Sequence, residues 1–308
     1  MKRFINCAFK IIFSRTLFII LMILVQLAVL CFGFTKLGES FSYITEGMSL
    51  LGALLVIFIV NRDGAPEFKM TWCILICLLP VFGALIYLFV ELNLGGVGLK
   101  ARTYVRLKET EGLLLTTERT KKAVAGSQAD FRGFACYMEG TVGFPAYQGS
   151  EAVYYPSGED KFKDLLKELQ KAERFIFLEY FIMERGIMWN AILDILKEKV
   201  KQGVEVRVMY DGMCSIMLLP YGYPRELEKY GIKAKMFAPI RPFLSTNQNN
   251  RDHRKIVVID GKVAFTGGVN LADEYINEKE VYGHWKDTAV KITGEAVRSF
   301  TVMYLQMW

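Results

Sequence analysis

Hydrophobicity in this 308-residue chain is segregated. Residues 1–99 hold seven Lys/Arg and five Asp/Glu, whereas the other 209 hold 31 and 27. A front so poor in charge has no polar face to turn towards water, while the remainder has the mix of an ordinary globular domain. Three runs in the front approach bilayer length. The first is 17–34, with Gln26 as its polar residue; the second is 43–60; the third is 70–90, with Pro80 and Gly83 inside it. The polar loop from Asn61 to Lys69 is short, so the second and third runs are expected to form a helical hairpin. Lys2, Arg3, Lys10 and Arg15 precede the first run, as in a signal peptide, but no small-residue cleavage site follows and further apolar runs do. Residues 1–99 are therefore expected to form a transmembrane region.

The positive-inside rule keeps the basic N-terminus on the cytoplasmic side, and the cluster Lys100, Arg102, Arg106 and Lys108 after the third run has the same preference. Three spans cannot satisfy both. The globular part is expected on the cytoplasmic side, with the parity unexplained. Of the six cysteines, Cys73 and Cys77 stand one helical turn apart in an apolar run, where packed or lipid-facing thiols are expected rather than a metal or redox pair.

Residues 100–132 read as a charged juxtamembrane linker, helical in part, with Leu113–Leu115 as its apolar patch. From 133 to 308 a globular domain is expected. Val153–Tyr155 suits an edge strand. Phe162, Leu165, Leu166 and Leu169 mark one helical face and Phe175–Ile182 a strand; Ile192 to Val200 form a helix closed at Gly203. Val204–Tyr210 alternates as a strand, Pro224–Tyr230 makes a short helix stopped by Gly231, and Ile232–Phe237 is a strand. Ile256–Ile259, Asp260-Gly261 and Lys262–Thr266 read as a hairpin. Thr288–Ile292 is a further strand, with a helix from Glu295. Strand and helix alternate, so the class is α/β, a sheet covered by helices.

The chemistry gathers in Arg251–Asn270, RDHRKIVVIDGKVAFTGGVN. His253 and Lys255 are two apart, so on a strand they share a face. A neutral imidazole is a nucleophile near neutral pH, and an ammonium beside it suits a phosphate. Asp260 suits both a catalytic acid and a hairpin aspartate. Asn270, after Gly267-Gly268, offers an amide for a phosphoryl oxygen. A nucleophilic histidine needs a carboxylate on its other nitrogen; Asp287 is the first candidate, then Glu274 and Asp273. A net charge of +6 is too dispersed for a nucleic-acid interface, and no stripe of aromatic residues interleaved with basic ones is present.

The spacing His253-x-Lys255-x4-Asp260-x6-Gly267-x2-Asn270 resembles the signature of the phospholipase D superfamily. Asn61, Pro66, Lys69 and Trp72 ahead of a span narrow the likeness, as do Phe177–Tyr180, Asn250–Lys255, Gly267-Gly268, Asp273–Tyr275 and Trp285–Asp287. Together they resemble bacterial cardiolipin synthases of the phospholipase D type, over nearly the whole chain. The resemblance implies one phospholipase D-like α/β/α layered domain behind transmembrane helices, in the bacterial cell membrane. It implies that His253 attacks the phosphorus of phosphatidylglycerol and expels glycerol, and that a second phosphatidylglycerol takes the phosphatidyl group to give cardiolipin. Lys255 and Asn270 would hold phosphoryl oxygens and Asp287 would orient His253, with no metal or organic cofactor. Anionic phospholipids are the implied partners, not nucleic acid. Members usually carry two such motifs. Here the other histidine, His284, begins His284-Trp285-Lys286 but has Lys291 seven positions on. The chain is thus expected to be an N-terminal half, completed by a homodimer or by a second chain bearing the motif. The competing expectations are a membrane-anchored hydrolase using water and an inert homologue or partner subunit.

Overall fold

The computed structural model describes residues 24, 27, 38–92, 94–214, 218–239 and 251–308. They fall into two compact units that divide after Gly98.

In the first unit, α1 is Gly38–Asn61, α2 is Pro66–Leu78 and α3 is Pro80–Leu92. The expected first span, 17–34, lies outside the described residues save Leu24 and Leu27. The second run falls within α1. The third is not one helix: Leu79 takes φ −134° and ψ 75°, because the ring of Pro80 disfavours a helical residue before it. Among the described residues no helix is long and apolar enough to cross a membrane. The three helices close on Ile59, Ile76 and Tyr87, with Trp72 edge-on to Tyr87 at 5.4 Å. Gly83 permits the α2–α3 approach, since a Cβ there would stand 2.7 Å from the Ile76 Cα. Leu50, Leu54, Ile57, Phe58, Phe68, Met70, Ile74 and Leu78 are nonetheless exposed.

Residues 100–132, expected as a charged linker that is helical in part, contain helices. Helix α4, Leu94–Thr110, runs across the expected boundary at 99/100, and α5 (Glu118–Ala125) and α6 (Ala129–Tyr137) follow. Thr117 caps α5 by accepting from the Thr120 N–H.

The second unit is centred on a seven-stranded sheet. Its strands are β1 (Ser150–Tyr155), β2 (Phe175–Tyr180), β3 (Glu205–Asp211), β4 (Lys233–Phe237), β5 (Ile256–Ile259), β6 (Val263–Gly267) and β7 (Ala289–Gly294), in the spatial order β1-β7-β6-β5-β2-β3-β4. Helices α7 (Gly158–Gln170), α8 (Ile187–Lys201), α9 (Tyr223–Glu228) and α10 (Val297–Met307) cover it. The crossovers through α8 and α9 make β2, β3 and β4 parallel, and the hairpin adds β5 and β6 antiparallel to β2. Asp260 (φ 54°) and Gly261 (φ 67°) both take left-handed conformations, as a tight two-residue turn requires. The larger core lies under α7–α9, around Leu165, Leu178, Trp189 and Val208. A smaller core on the opposite face gathers Phe177, Met209, Val258 and Tyr304 beneath α10, with Phe177 stacked on Tyr304 at 4.7 Å. The α/β class and the α/β/α layering expected from the sequence are those observed.

Candidate active site

β5 begins at Ile256, so His253 and Lys255 stand on its extended run-in, not within the strand. The β2/β5 pairing ends with Glu179 opposite Ile256, and Lys255 follows beside the end of β2 at Tyr180, after which Phe181 leaves the sheet. The His253 ring is exposed and lies 4.6 Å from the Phe181 ring, tilted by 54°. Lys255 is buried to 6% exposure. Its Nζ donates to the His253 carbonyl at 2.8 Å and stands 5.3 Å over the same Phe181 ring. Burial lowers the pKa of Lys255, while Asp287 and Asp252 pull the other way. Phe181 therefore touches both the imidazole and the ammonium. Sequence reasoning missed it, because an aromatic residue at a strand end reads as core.

The arginines on either side of His253 do not share its space. Arg251 Nη1 donates to the Ala238 carbonyl at 2.8 Å and reaches the buried Asp211 at 3.4 Å. Asp211 also accepts the Asp252 N–H at 3.0 Å. Arg254 pairs with the fully buried Glu179 at 2.5 Å and donates to the Met303 carbonyl. Burial, then the charge of Asp252, raise the pKa of Glu179 against the pull of Arg254. These ion pairs fix the backbone on which His253 is displayed.

Asn270 is buried between two loops. Its Oδ1 accepts the Ile182 N–H and its Nδ2 donates to the Tyr275 hydroxyl, both at 2.9 Å. The amide carbonyl and one N–H are thus committed to holding the backbone beside Phe181. Cys214 holds the same segment from another side, with its thiol donating to the Phe181 carbonyl and accepting from the Met183 N–H.

Asp260 is placed elsewhere. Seven residues of extended chain separate it from His253, roughly 20 Å. Its carboxylate accepts the backbone N–H groups of Glu173, Arg174 and Phe175, each at 2.8 Å. Burial works against the ionised form, but these three donors outweigh it and hold the carboxyl below its usual range. The expected catalytic Asp260 is thus a clamp between the hairpin and the start of β2, with its lone pairs turned to the backbone.

Asp287 lies against Gly268, where a Cβ would stand 1.9 Å from its Oδ1, and accepts the Thr288 N–H at 2.7 Å. Its field reaches Lys255 and the buried Lys161 of α7. Among the described residues no hydrogen bond joins it to His253. Of the other orienting candidates, Asp273 is occupied at the start of α8 by the Ile187 and Met188 N–H groups, at 2.9 Å each. Glu274 is raised in pKa by burial and by Glu184. His284 is exposed. Among the described residues no group of three or more His, Cys, Asp and Glu converges as a metal site would require. The structure thus brings His253 and Lys255 to Phe181, with Asn270 holding the adjoining Ile182 and Asp287 lying against Gly268, and leaves Asp260 at the far end of the hairpin. An exposed nucleophile beside a buried ammonium can attack an anionic phosphorus while the ammonium offsets the charge.

The chain matches the family model described as cardiolipin synthase, PLD-like domain, over residues 165–307, and the one described as Phospholipase_D-nuclease N-terminal over residues 50–91. It is 47% identical over 253 residues to an uncharacterized protein of Streptococcus mutans serotype c, covering 82% of this chain and 55% of that one. Cardiolipin synthase of Alkalihalophilus pseudofirmus is 34% identical over 271 residues, 85% of this chain and 52% of that one. Cardiolipin synthase of Geobacillus kaustophilus is 34% identical over 265 residues, 84% and 51%. The chain spans about half the length of the curated relatives it matches.

Proposed function

The chain is a cardiolipin-synthase-like member of the phospholipase D superfamily, and on that premise we propose that it contributes one half of a phosphatidyltransferase site. The observation that carries the reading is the exposed His253 imidazole beside the buried Lys255 ammonium, both in contact with Phe181. In this reading a His253 ring nitrogen attacks the phosphorus of phosphatidylglycerol and the P–O bond to glycerol breaks. A phosphatidyl-histidine forms, and a hydroxyl of a second phosphatidylglycerol then displaces the histidine to give cardiolipin. Lys255 offsets charge on the phosphoryl oxygens, and Asp287 is its counter-charge. Asn270 sets the backbone beneath Phe181. The proton for departing glycerol comes from a second His-x-Lys-x4-Asp motif outside these 308 residues.

The exposed apolar side chains of α1 and α2, Leu50, Leu54, Ile57, Phe58, Ile74 and Leu78 among them, support a membrane location. Detergent-solubilised protein, alone and with a second motif-bearing half, is incubated with phosphatidylglycerol. Cardiolipin and glycerol are the expected products, abolished by His253→Ala. Phosphatidic acid instead would assign water as the acceptor. No product in either format would refute catalysis and leave the chain a non-catalytic subunit.

A further inference from the structure

Apolar exposure in the second unit gathers in one stretch. Among the described residues of that unit, 17 large apolar side chains are exposed, and nine of them lie between Tyr104 and Val142. Positive charge gathers there too: residues 100–142 hold eight Lys/Arg and five Asp/Glu, a net +3 of the chain's +6. The centre of the stretch is the pair α5 and α6. In α6 aromatic residues recur at every third position, so Phe131, Phe134 and Tyr137 form one oblique stripe, exposed to 53%, 61% and 58%, while Ala135 is buried. On α5, Arg119, Lys121 and Lys122 are exposed and Thr120 is buried. Arg132 ties the two helices by donating to the Ala125 carbonyl at 3.2 Å. Leu113 and Leu115, also exposed, stand just before Thr116, whose hydroxyl donates to Glu139 at 2.5 Å in the turn after α6.

Three half-exposed rings leave apolar area in water that a partner would remove, and the charge beside them narrows what that partner is. Aromatic side chains next to Lys and Arg match the interface of an anionic bilayer: the rings enter at headgroup depth and the cations gain from the negative surface potential. Position favours lipid as well. The stretch follows, in the chain, the helices whose exposed apolar side chains support a membrane location. It is also tied to the reactive corner, because Gln306 of α10 donates to the Thr110 hydroxyl at 3.0 Å, and the Met303 carbonyl of the same helix accepts from Arg254, the neighbour of His253. We propose that residues 113–142 rest on the surface of an anionic phospholipid bilayer, with Phe131, Phe134 and Tyr137 inserted at headgroup depth and Arg119, Lys121 and Lys122 against lipid phosphates. This contact is additional to that of α1 and α2, and it does not depend on turnover.

The test places the whole chain in nanodiscs of phosphatidylcholine, with and without phosphatidylglycerol, and follows amide hydrogen exchange. With phosphatidylglycerol present, the amides of residues 129–142 should exchange at least about tenfold more slowly. Combined Phe131→Ser, Phe134→Ser and Tyr137→Ser should abolish that difference, with the exchange of β2 and β5 unchanged as the control for folding. Lys121→Gln, on an exposed side chain that the fold does not need, should reduce it about fivefold. Equal exchange with and without phosphatidylglycerol in the wild-type chain would overturn the proposal, whether slow or fast. So would a difference that Lys121→Gln leaves intact. Slow exchange that persists in detergent and strengthens with protein concentration would assign the face to a second copy, and would overturn it too. A chain that shows the lipid-dependent protection but forms no cardiolipin would refute the transfer reading alone. One that forms cardiolipin without that protection would refute this proposal alone.

Discussion

Removing the Asp260 carboxylate separates a structural role from a catalytic one. Three backbone N–H groups end on it at 2.8 Å, and hydrogen bonds to a charged acceptor contribute about 1.5–3 kcal/mol each. They are not additive here, because Glu173 and Arg174 are exposed and water replaces part of the loss. About 3 kcal/mol is the fair sum. Asp260 also sits at φ 54°, which adds about 1 kcal/mol against alanine. Asp260→Ala should therefore cost about 4 kcal/mol, or about 8–16 °C in Tm for a domain of this size. Asp260→Asn tolerates the left-handed conformation and keeps an acceptor for two of the donors, but turns its NH2 towards the third; it should cost about 2 kcal/mol. The carboxyl has a lower pKa folded than unfolded, so its contribution is complete above about pH 4, the unfolded value, and fades as the pH falls further. The gap between wild type and Asp260→Ala should narrow below pH 4. Thermal unfolding of the detergent-solubilised chain, followed by circular dichroism at pH 3–7, measures both effects. Well below its Tm, Asp260→Ala should keep kcat within about threefold of wild type. A variant with wild-type Tm and kcat reduced a hundredfold would show that Asp260 acts in the chemistry and would refute the clamp.

Phe181→Leu removes the ring shared by His253 and Lys255 and should lower kcat about tenfold with little change in KM, measured as cardiolipin formed; Phe181→Tyr should stay near wild type. Gly268→Ala would place a methyl 1.9 Å from Asp287 Oδ1, so it should lower phosphate affinity and kcat together, by about as much as Asp287→Ala. Asn270→Ala leaves the Ile182 N–H and the Tyr275 hydroxyl without their partner and should cost about 2 kcal/mol in denaturant unfolding; Asn270→Asp, which keeps the acceptor, should cost less.

The fold was legible where local pattern decides. Phe175–Tyr180 and Glu205–Asp211 are strands, the Leu165–Leu169 face belongs to one helix, and Asp260-Gly261 adopts the turn that its residue types favour. What spans the sheet was not. Nothing in Glu173–Phe175 announces that their N–H groups meet a carboxylate more than eighty residues away. The run 70–90 reads as continuous because hydropathy ignores what Pro80 does to Leu79. Lys161 sits in Glu159-Asp160-Lys161-Phe162-Lys163, a charged stretch that promises solvent, yet the start of α7 turns it inward. His253 and Lys255 were found by their spacing; Phe181, which joins them, has no spacing to find.

The Asn270 amide joins a loop to one 88 positions earlier in the chain. That distance sets an order of events. The β5–β6 hairpin closes a two-residue turn and can form within about 1–10 μs, but its union with β2 waits for a closure over 85 residues, which carries a larger entropy cost. Until Asn270 reaches Ile182, the segment of Phe181 is held by Cys214 alone, and the ring that His253 lies against lacks its second anchor. The reactive corner should therefore be among the last parts of the newly made chain to mature, and hydrogen exchange during refolding should find the Ile182 amide protected later than those of Val257 and Val258.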